Sequence, residues 1–496
     1  MPLMKNYKAL SLLLFIALIF TSCFEDNDDN QIAVSSINDF VWKGMNSFYL
    51  YKDDIPDLAN NRFANNEELK VYLNSFNSPE GLFESLIHQR ETIDRFSWIV
   101  DDYIALEQFF DGVVTNNGME FQVFRFSTTD TNRYGIVTHV LPNTSAEANG
   151  VKRGDIFYGI DNVQLTANNA NALLSADNYT INLGVYDDND TTDTSDDSVT
   201  ETSETIALTK EQYTENPILI NKVLNIANKN IAYLMYNGFT GTEQFNAELN
   251  SVFANFNSAG ATELVLDLRY NPGGSVSTAI MLSSLITGQF TGEIYSTEQW
   301  NSEIQEALET ENPELLINRF VSSNNGAALQ SLNLDRLFVL TTNRSASASE
   351  LVINSLRPYI DVVQIGTTTA GKYQASTTLY DSDNFRREGA NPSHTYAMQP
   401  LIFKSLNVEG VTDYFDGLEP DITLSEKVRN LGVLGDENEP LLAEALAIIT
   451  GTGKPQREKG NSVIMSDKKI NSSPFEGNMY IDKDLPIDLI KKTFFE

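Results

Sequence analysis

The stretch "LFVLTTNRSASASELVINSL", residues 337–356, decides how this chain is read. "LFVLTT" is an uninterrupted apolar run of strand length, and "ASELVINSL" is helix-like, with the short "NRS" segment between. Strand, tight turn and helix place the first helical residues at the carboxyl edge of a sheet. Unpaired N–H groups and the positive end of the helix dipole point outward there. Ser345, Ser347 and Ser349 occupy every second position of the turn. A hydroxyl so placed suits nucleophilic attack, because the same N–H groups stabilise an oxyanion. A structural reading competes with it. Ser347-Ala-Ser-Glu350 fits a capping box, in which Ser347 caps the helix and Glu350 bonds back. The stretch alone does not decide between them.

Outward from this point the pattern repeats. "NIAYLMY" precedes the amphipathic "TEQFNAELNSVFANF", which carries Phe245, Leu249, Val252, Phe253 and Phe256 on one face; "ELVLDLR" leads through "NPGG" to "STAIMLSSLI". "VVQIG" follows the serine segment, and "PLLAEALAII" closes the region. Uniformly apolar strands alternating with helices predict an α/β core, residues 213–450, with a mostly parallel sheet covered on both faces.

A nucleophilic serine needs a base. The chain has three histidines, His88, His139 and His394, none in a recognisable nucleophile–histidine context, and a zinc site built from several of them is implausible; no metal or cofactor is expected. "IGTTTAGKYQ" presents Lys372 in a setting poor in carboxylates. At pH 7.4 an ordinary lysine is about 0.1% neutral, so a working lysine base requires about 4 kcal/mol of pressure against its charge. Burial without an acidic partner supplies that pressure. The bland alternative for Lys372 is an exposed loop lysine.

The 496 residues suggest about three domains. Lys and Arg number 34 against 68 Asp and Glu, a net charge of −34 that repels phosphate backbones and disfavours nucleic acid as a partner. Lys5 and Lys8 precede the apolar run of residues 10–20, which is too short to span a bilayer and fits the core of a signal peptide, residues 1–22. Cys23, the sole cysteine, follows Thr21 and Ser22 and resembles the lipidated cysteine of a bacterial lipoprotein, although Phe20 stands where Leu is usual. This implies a lipid-anchored protein of the cell envelope, periplasmic or on the outer-membrane surface, with no disulfide. The acidic stretch after it resembles surface-export signals of Bacteroidetes lipoproteins, and residues 23–35 read as a tether.

Residues 36–110 have helical spacing, with Val41, Met45, Phe48 and Tyr49 recurring, and are expected to form a small helical domain. Residues 111–212 turn strand-like. Their "AEANGVKRGDIFYGI" resembles the second half of a PDZ domain, which implies peptide capture by strand addition, with Gly118, Met119, Glu120 and Phe121 where the carboxylate-binding loop would lie. The carboxylate-rich segment 187–204 lacks the turn glycine and closing glutamate of a calcium loop, and reads as a solvated hairpin loop. Residues 451–496 read as a polar, loosely attached tail.

"DLRYNPGG" (267–274), "SASASE" (345–350), "GTTTAGK" (366–372) and "GLEPDI" (417–422) occur in this order below the PDZ-like segment. Together they resemble the C-terminal processing peptidases, or tail-specific proteases, Ser/Lys endopeptidases acting on unfolded or C-terminally exposed polypeptides; the resemblance covers roughly residues 36–450. In that family the middle serine is the nucleophile and the base lysine lies 25 residues later, a spacing that here runs from Ser347 to Lys372. The resemblance implies an oxyanion hole from the N–H of Ala348 and that of Gly273 or Gly274, while Asp267 and Arg269 fix the turn. Family members often carry a lysine-orienting glutamine four residues after the lysine. Position 376 here is Ser, and Gln374 is the nearest candidate. Two alternatives stay open: a catalytically silent peptide- or ligand-binding protein on the same scaffold, and a Ser/His hydrolase resembling tricorn-type relatives.

Overall fold

The computed structural model describes residues 34–126, 129–191, 196–452, 464–465 and 479–481. At its centre is a six-stranded sheet in the order Ile218–Ile226, Lys229–Tyr236, Glu263–Asp267, Arg336–Thr341, Asp361–Gly366, Ile422–Thr423. The first pair is antiparallel and every later pair is parallel. The apolar strands divide their residues between two cores. Ala232, Leu234, Leu264, Leu266, Leu337 and Val339 face one core, which contains Leu249, Phe253, Leu282, Leu285, Leu351 and Val352 of three helices. Ile231, Tyr233, Val265, Phe338, Leu340 and Ile365 face the other, under Leu441, Leu442 and Ala445 of helix Pro440–Thr450. Burial on both faces is why these strands are apolar throughout rather than alternating.

A second six-stranded sheet runs Gly274–Ser275, Met479–Tyr480, Gln374–Ser376, Leu401–Leu406, Ile294–Trp300, Ile317–Arg319. It carries the segment after Lys372 and the end of "NPGG" with one strand between them. The strand between them, Met479–Tyr480, comes from the part of the sequence read as a loose tail; Met479 is fully buried, and Ser376 Oγ donates to its carbonyl at 3.1 Å. An apolar Met-Tyr-Ile step inside a polar stretch is enough to seat there.

Helix Val34–Phe48 presents Ile37, Phe40, Val41, Met45 and Phe48 to the same core as Leu379, Phe385, Met398 and Leu401. The N-terminal helices therefore have no separate interior. Leu50 N–H donates to Leu401 O at 2.9 Å, and strand Trp98–Val100 pairs with Ala397–Gln399, so the N-terminal segment is stitched to the second half of the chain.

Residues 119–209 form a sheet of their own, in the order Ile464–Met465, Met119–Arg125, Tyr134–Val140, Ile156–Ile160, Asn178–Asp187, Ser198–Thr209, with Val163–Gln164 beside Ile156–Ile160. It has its own small core around Val137, Phe157, Ile160, Leu174 and Ile181. Strand Ser198–Thr209 takes in residues 198–204, which the sequence suggested were loop. Their β-branched Val199, Thr200 and Thr202 extend the hairpin with Asn178–Asp187.

Candidate active site

Strand Arg336–Thr341 ends in a turn that the serines themselves hold. Ser345 Oγ donates to Leu268 O at 2.8 Å and accepts the Thr342 N–H at 3.0 Å, while Ser349 Oγ donates to Asn271 O at 3.1 Å. These two hydroxyls knit the serine turn to the loop after strand Glu263–Asp267. Ser347 is fully buried and stands at the N-cap of helix Ala348–Leu356 with φ 60° and ψ −114°. A non-glycine residue at positive φ costs on the order of 1–3 kcal/mol and persists only where surrounding bonds impose it. A strained strand-to-helix turn is also what aims a serine nucleophile off the edge of a sheet.

Glu350 supplies much of that imposition. Its Oε2 accepts the Ser347 N–H and the Lys372 N–H, both at 2.8 Å; its Oε1 accepts Gly371 N–H at 2.7 Å and Thr369 Oγ1 at 2.5 Å. The capping-box bond from Glu350 is thus present, and the same carboxylate also fastens the lysine loop. Ala370 N–H donates to Ser345 O at 3.0 Å, and Ala346 N–H to Asn271 O at 3.1 Å. Three loops far apart in sequence meet at Ser347. Burial pushes the Glu350 carboxyl up to about 7, although the four donors favour its ionised form.

Lys372 is fully buried, with Nζ 4.9 Å from the centre of the Phe96 ring. Arg95 Nη2 donates to the carbonyls of Ala370, Gly371 and Phe415 at 3.3, 3.0 and 3.0 Å, which pins the lysine loop from outside. Gly371 has φ 83°, and a Cβ there would lie 2.0 Å from Phe415 O, so only glycine fits. The "GLEP" turn closes the other side: Leu418 N–H donates to Thr369 Oγ1 at 2.7 Å. Gln374 directs its amide to the Tyr51 hydroxyl at 2.9 Å, and Tyr51 stacks on His88.

Gly273 and Gly274 lie at φ 110° and 134° on the opposite loop. The Gly273 N–H donates to Asn271 Oδ1 at 2.8 Å, so its proton is already engaged. Gly274 approaches Phe239 so closely that a Cβ would sit 2.4 Å from the Phe239 carbonyl oxygen. The Ala348 N–H is the first of the helix and has no intrahelical acceptor. Asp267 and Arg269 are fully buried and paired at 2.8 Å; the guanidinium continues to Glu439 at 2.6 Å and Glu426 at 3.1 Å.

Arg153, from the β-rich sheet, reaches the same network, donating to Glu426 at 2.6 Å and to the Tyr270 hydroxyl at 2.7 Å. Burial alone would raise the Glu426 carboxyl, but Arg269 and Arg153 hold it down at about 2. His139 stacks on Tyr270 and meets Asn237 and Thr138 through its two ring nitrogens; burial lowers it to about 3. His394 has Nε2 on Asp381 and Nδ1 on the Tyr396 N–H, and His88 Nε2 meets Gln89. Each histidine is occupied in packing or loop closure.

Gly118, Met119, Glu120 and Phe121 belong to the separate sheet. Gly118 N–H and Met119 N–H donate to Asn116 Oδ1 and Asn117 Oδ1 at 2.9 and 3.0 Å. Cys23 lies outside the described residues. Local sequence did not point to Phe96, Arg95, Tyr51, Arg153 or the Glu350–Lys372 bond; only Glu350 left a trace, as the last residue of S-x-x-E.

A buried serine at a strand–turn–helix, tied through Glu350 to the loop of a buried lysine, lies at the edge of an α/β sheet covered on both faces, and comparison relates this arrangement to a family. Residues 230–423 match the model of peptidase family S41, and residues 36–98 match that of the peptidase S41 N-terminal domain. Over these segments the chain is a member of family S41. The "Probable CtpA-like serine protease" of Staphylococcus epidermidis is 26% identical over 208 residues, 42% of this chain and 36% of that protein. The protein of the same description from Staphylococcus aureus is 24% identical over 188 residues, 38% of this chain and 32% of that one. The chain thus aligns with about a third of these relatives' length. A crystal structure from Bacteroides fragilis described as an S41 protease superposes with a TM-score of 0.64 at 24% identity, covering 84% of this chain and 98% of that one; this likeness is one of fold.

Proposed function

We propose that the protein is a serine endopeptidase using Ser347 as nucleophile and Lys372 as general base. The observation that carries the reading is Glu350, whose one oxygen accepts the backbone N–H of both residues and so fixes the two loops against each other. In the reaction, Ser347 Oγ attacks a peptide carbonyl while its proton passes to neutral Lys372 Nζ. The tetrahedral oxyanion is received by the N–H groups of Ala348 and Gly274, since that of Gly273 is engaged by Asn271. Lys372 then hands the proton to the leaving amine, the C–N bond breaks, and an acyl-serine remains. A water molecule deprotonated by Lys372 attacks the ester, releasing the second product and restoring the hydroxyl. Phe96 and Arg95 position the lysine in the place of the absent glutamine at 376, while Gln374 ties the following strand to Tyr51.

The proposed substrates are unfolded or C-terminally exposed polypeptides, with the PDZ-like sheet binding a segment of them. Cys23, lipidated, would anchor the enzyme in the cell envelope. Incubating the protein with unfolded casein beside its Ser347→Ala and Lys372→Ala variants tests the catalytic part. Cleavage is expected from the parent alone, and equal cleavage by all three would overturn it.

A further inference from the structure

Tyr270, in the loop that leads to Gly273 and Gly274, sits where the β-rich sheet meets the core. His139 of that sheet stacks on its ring with 5.3 Å between centres, and the Arg153 guanidinium lies 5.9 Å from the ring centre. The third neighbour is Arg344, whose Cζ is 5.7 Å from the same centre. Arg344 belongs to the serine turn, three residues before Ser347, and three residues of chain span at most about 10 Å. Its N–H donates to Thr342 Oγ1 at 3.2 Å, which fixes the backbone from which the side chain leaves.

The Arg344 guanidinium holds no acceptor. Arg153, Arg269, Arg336 and Arg387 each reach a carboxylate, at 2.6, 2.8, 2.7 and 2.7 Å. Arg344 forms no ion pair and no side-chain hydrogen bond among the described residues, in a chain with 68 acidic residues. Its Nη1 is enclosed without an acceptor, whereas Nε and Nη2 meet solvent. The carboxylates behind Tyr270 are already engaged: Glu426 by Arg153 and Arg269, Asp267 and Glu439 by Arg269. His139 brings no competing charge, because burial first, and then the charges of Arg344 and Arg153, keep it neutral. The open Nε–Nη2 edge of a guanidinium matches the two oxygens of one carboxylate. Stacking on Tyr270 already orders the fork, so little freedom is lost when it binds.

We infer that Arg344 is a specificity-determining residue that binds the side-chain carboxylate of an Asp or Glu in the substrate, a few residues from the scissile bond. A carbonyl attacked by Ser347 brings its flanking residues within reach of the turn that carries Arg344. A chain terminus bears the same charge. Held this close to the nucleophile, however, it would confine cutting to the last few residues of a substrate, whereas an acidic side chain leaves cleavage internal. The inference rests on the peptidase reading of Ser347 and deepens it.

The test uses the full chain and a mixed library of short unstructured peptides, made once as free acids and once as C-terminal amides. Cut sites are mapped by mass spectrometry for the parent, Arg344→Gln and Arg344→Glu. In the parent, Asp or Glu is expected to be enriched about fivefold at one fixed position from the cut, the scale of one half-exposed ion pair. Arg344→Gln should lose that enrichment, and Arg344→Glu should replace it with Lys or Arg, an inversion that a merely disturbed turn does not produce. No acidic enrichment in the parent, or the same enrichment in Arg344→Gln, overturns the inference. An enrichment that vanishes with the amides also overturns it, because the carboxylate would then be the chain terminus. If neither variant folds, Arg344→Lys keeps the charge without the two-pronged edge and should reduce the enrichment; an unchanged enrichment overturns the inference. The library is also passed over immobilised Ser347→Ala protein with and without Arg344→Gln, which reads binding apart from cleavage. If the parent cuts nothing, the catalytic reading fails and the retained peptides decide: a pool richer in Asp and Glu by about fivefold with Arg344 present supports the inference, and equal pools overturn it.

Discussion

Lys372 Nζ lies 4.9 Å from the centre of the Phe96 ring, and the two residues are 276 positions apart. The ring acts on the amine in two opposed ways. It excludes water, which disfavours the charged ammonium in a buried site. Its face also attracts a cation, worth about 2 kcal/mol when desolvated. The proposed role of Lys372 as base requires the first effect to be the larger. Glu350 takes the Lys372 N–H, Arg95 lies on the carbonyls of the lysine loop, and Gln374, two residues on, reaches the Tyr51 hydroxyl.

Phe96→Ala is therefore expected to raise the midpoint of the pH–rate profile by about one unit as water enters. Phe96→Leu, which keeps the apolar volume and loses the π face, should leave it unchanged or slightly lower. Equal profiles for all three proteins would show that the ring does not set the lysine's charge.

Proteolysis is expected to rise from pH 6 to above 8, since neutral Lys372 increases tenfold per pH unit below its pKa. Glu350, held up to about 7, ionises in the same interval and then accepts its four bonds at full strength. Measured kcat/KM across this range should fall toward acid with no descending alkaline limb, and a flat profile would exclude a lysine base titrating there.

Glu350→Gln puts an amide N–H₂ where one oxygen accepts backbone protons, and so pushes the serine and lysine loops apart. A displacement of this kind costs on the order of 100-fold in rate. The expected signature is a fall in kcat with KM little changed. The folded state holds the Glu350 proton up to about 7, whereas the unfolded chain releases it near 4.5. The parent should therefore lose stability as pH rises through that interval, by on the order of 3 kcal/mol, and the variant should not. Urea unfolding at pH 4.5 and 7.5 compares them.

Glu426 has the opposite sign. Its carboxyl is held at about 2, below its ordinary 4.5, so its contribution is complete above pH 4.5 and disappears as pH falls toward 2. Arg153→Ala removes one partner of this buried group and is expected to destabilise by about 3–5 kcal/mol. The loss should shrink in acid, a trend that thermal melts at pH 7 and pH 3 would register.

If Cys23 carries the proposed lipid, Cys23→Ala should release exported, folded enzyme into the soluble fraction with unchanged specific activity. Fractionation reads this directly, and retention in the membrane fraction would point to the apolar run of residues 10–20.

Periodicity and punctuation in the sequence by themselves determined the alternating α/β core, the strand–turn–helix at Ser347 and the candidate lysine. Those signals are local: apolar runs mark strands buried on both faces, and Gly371 and the "NPGG" glycines mark turns that admit no side chain. Which serine is committed to scaffolding was not local. Ser345 and Ser349 look like Ser347 until Leu268 and Asn271, some 77 residues upstream, arrive as acceptors. The helices of residues 36–110 likewise read as a unit, because an amphipathic face records that something covers it and not what. Folding places that face against residues near 400 and brings Phe96 and Arg95 to the lysine. The polar composition of residues 451–496 concealed Met479, since one buried apolar step is too short to leave a period. Pairings between residues hundreds of positions apart depend on shape and on the acceptors left over after local structure forms, and only the tertiary fold decides those.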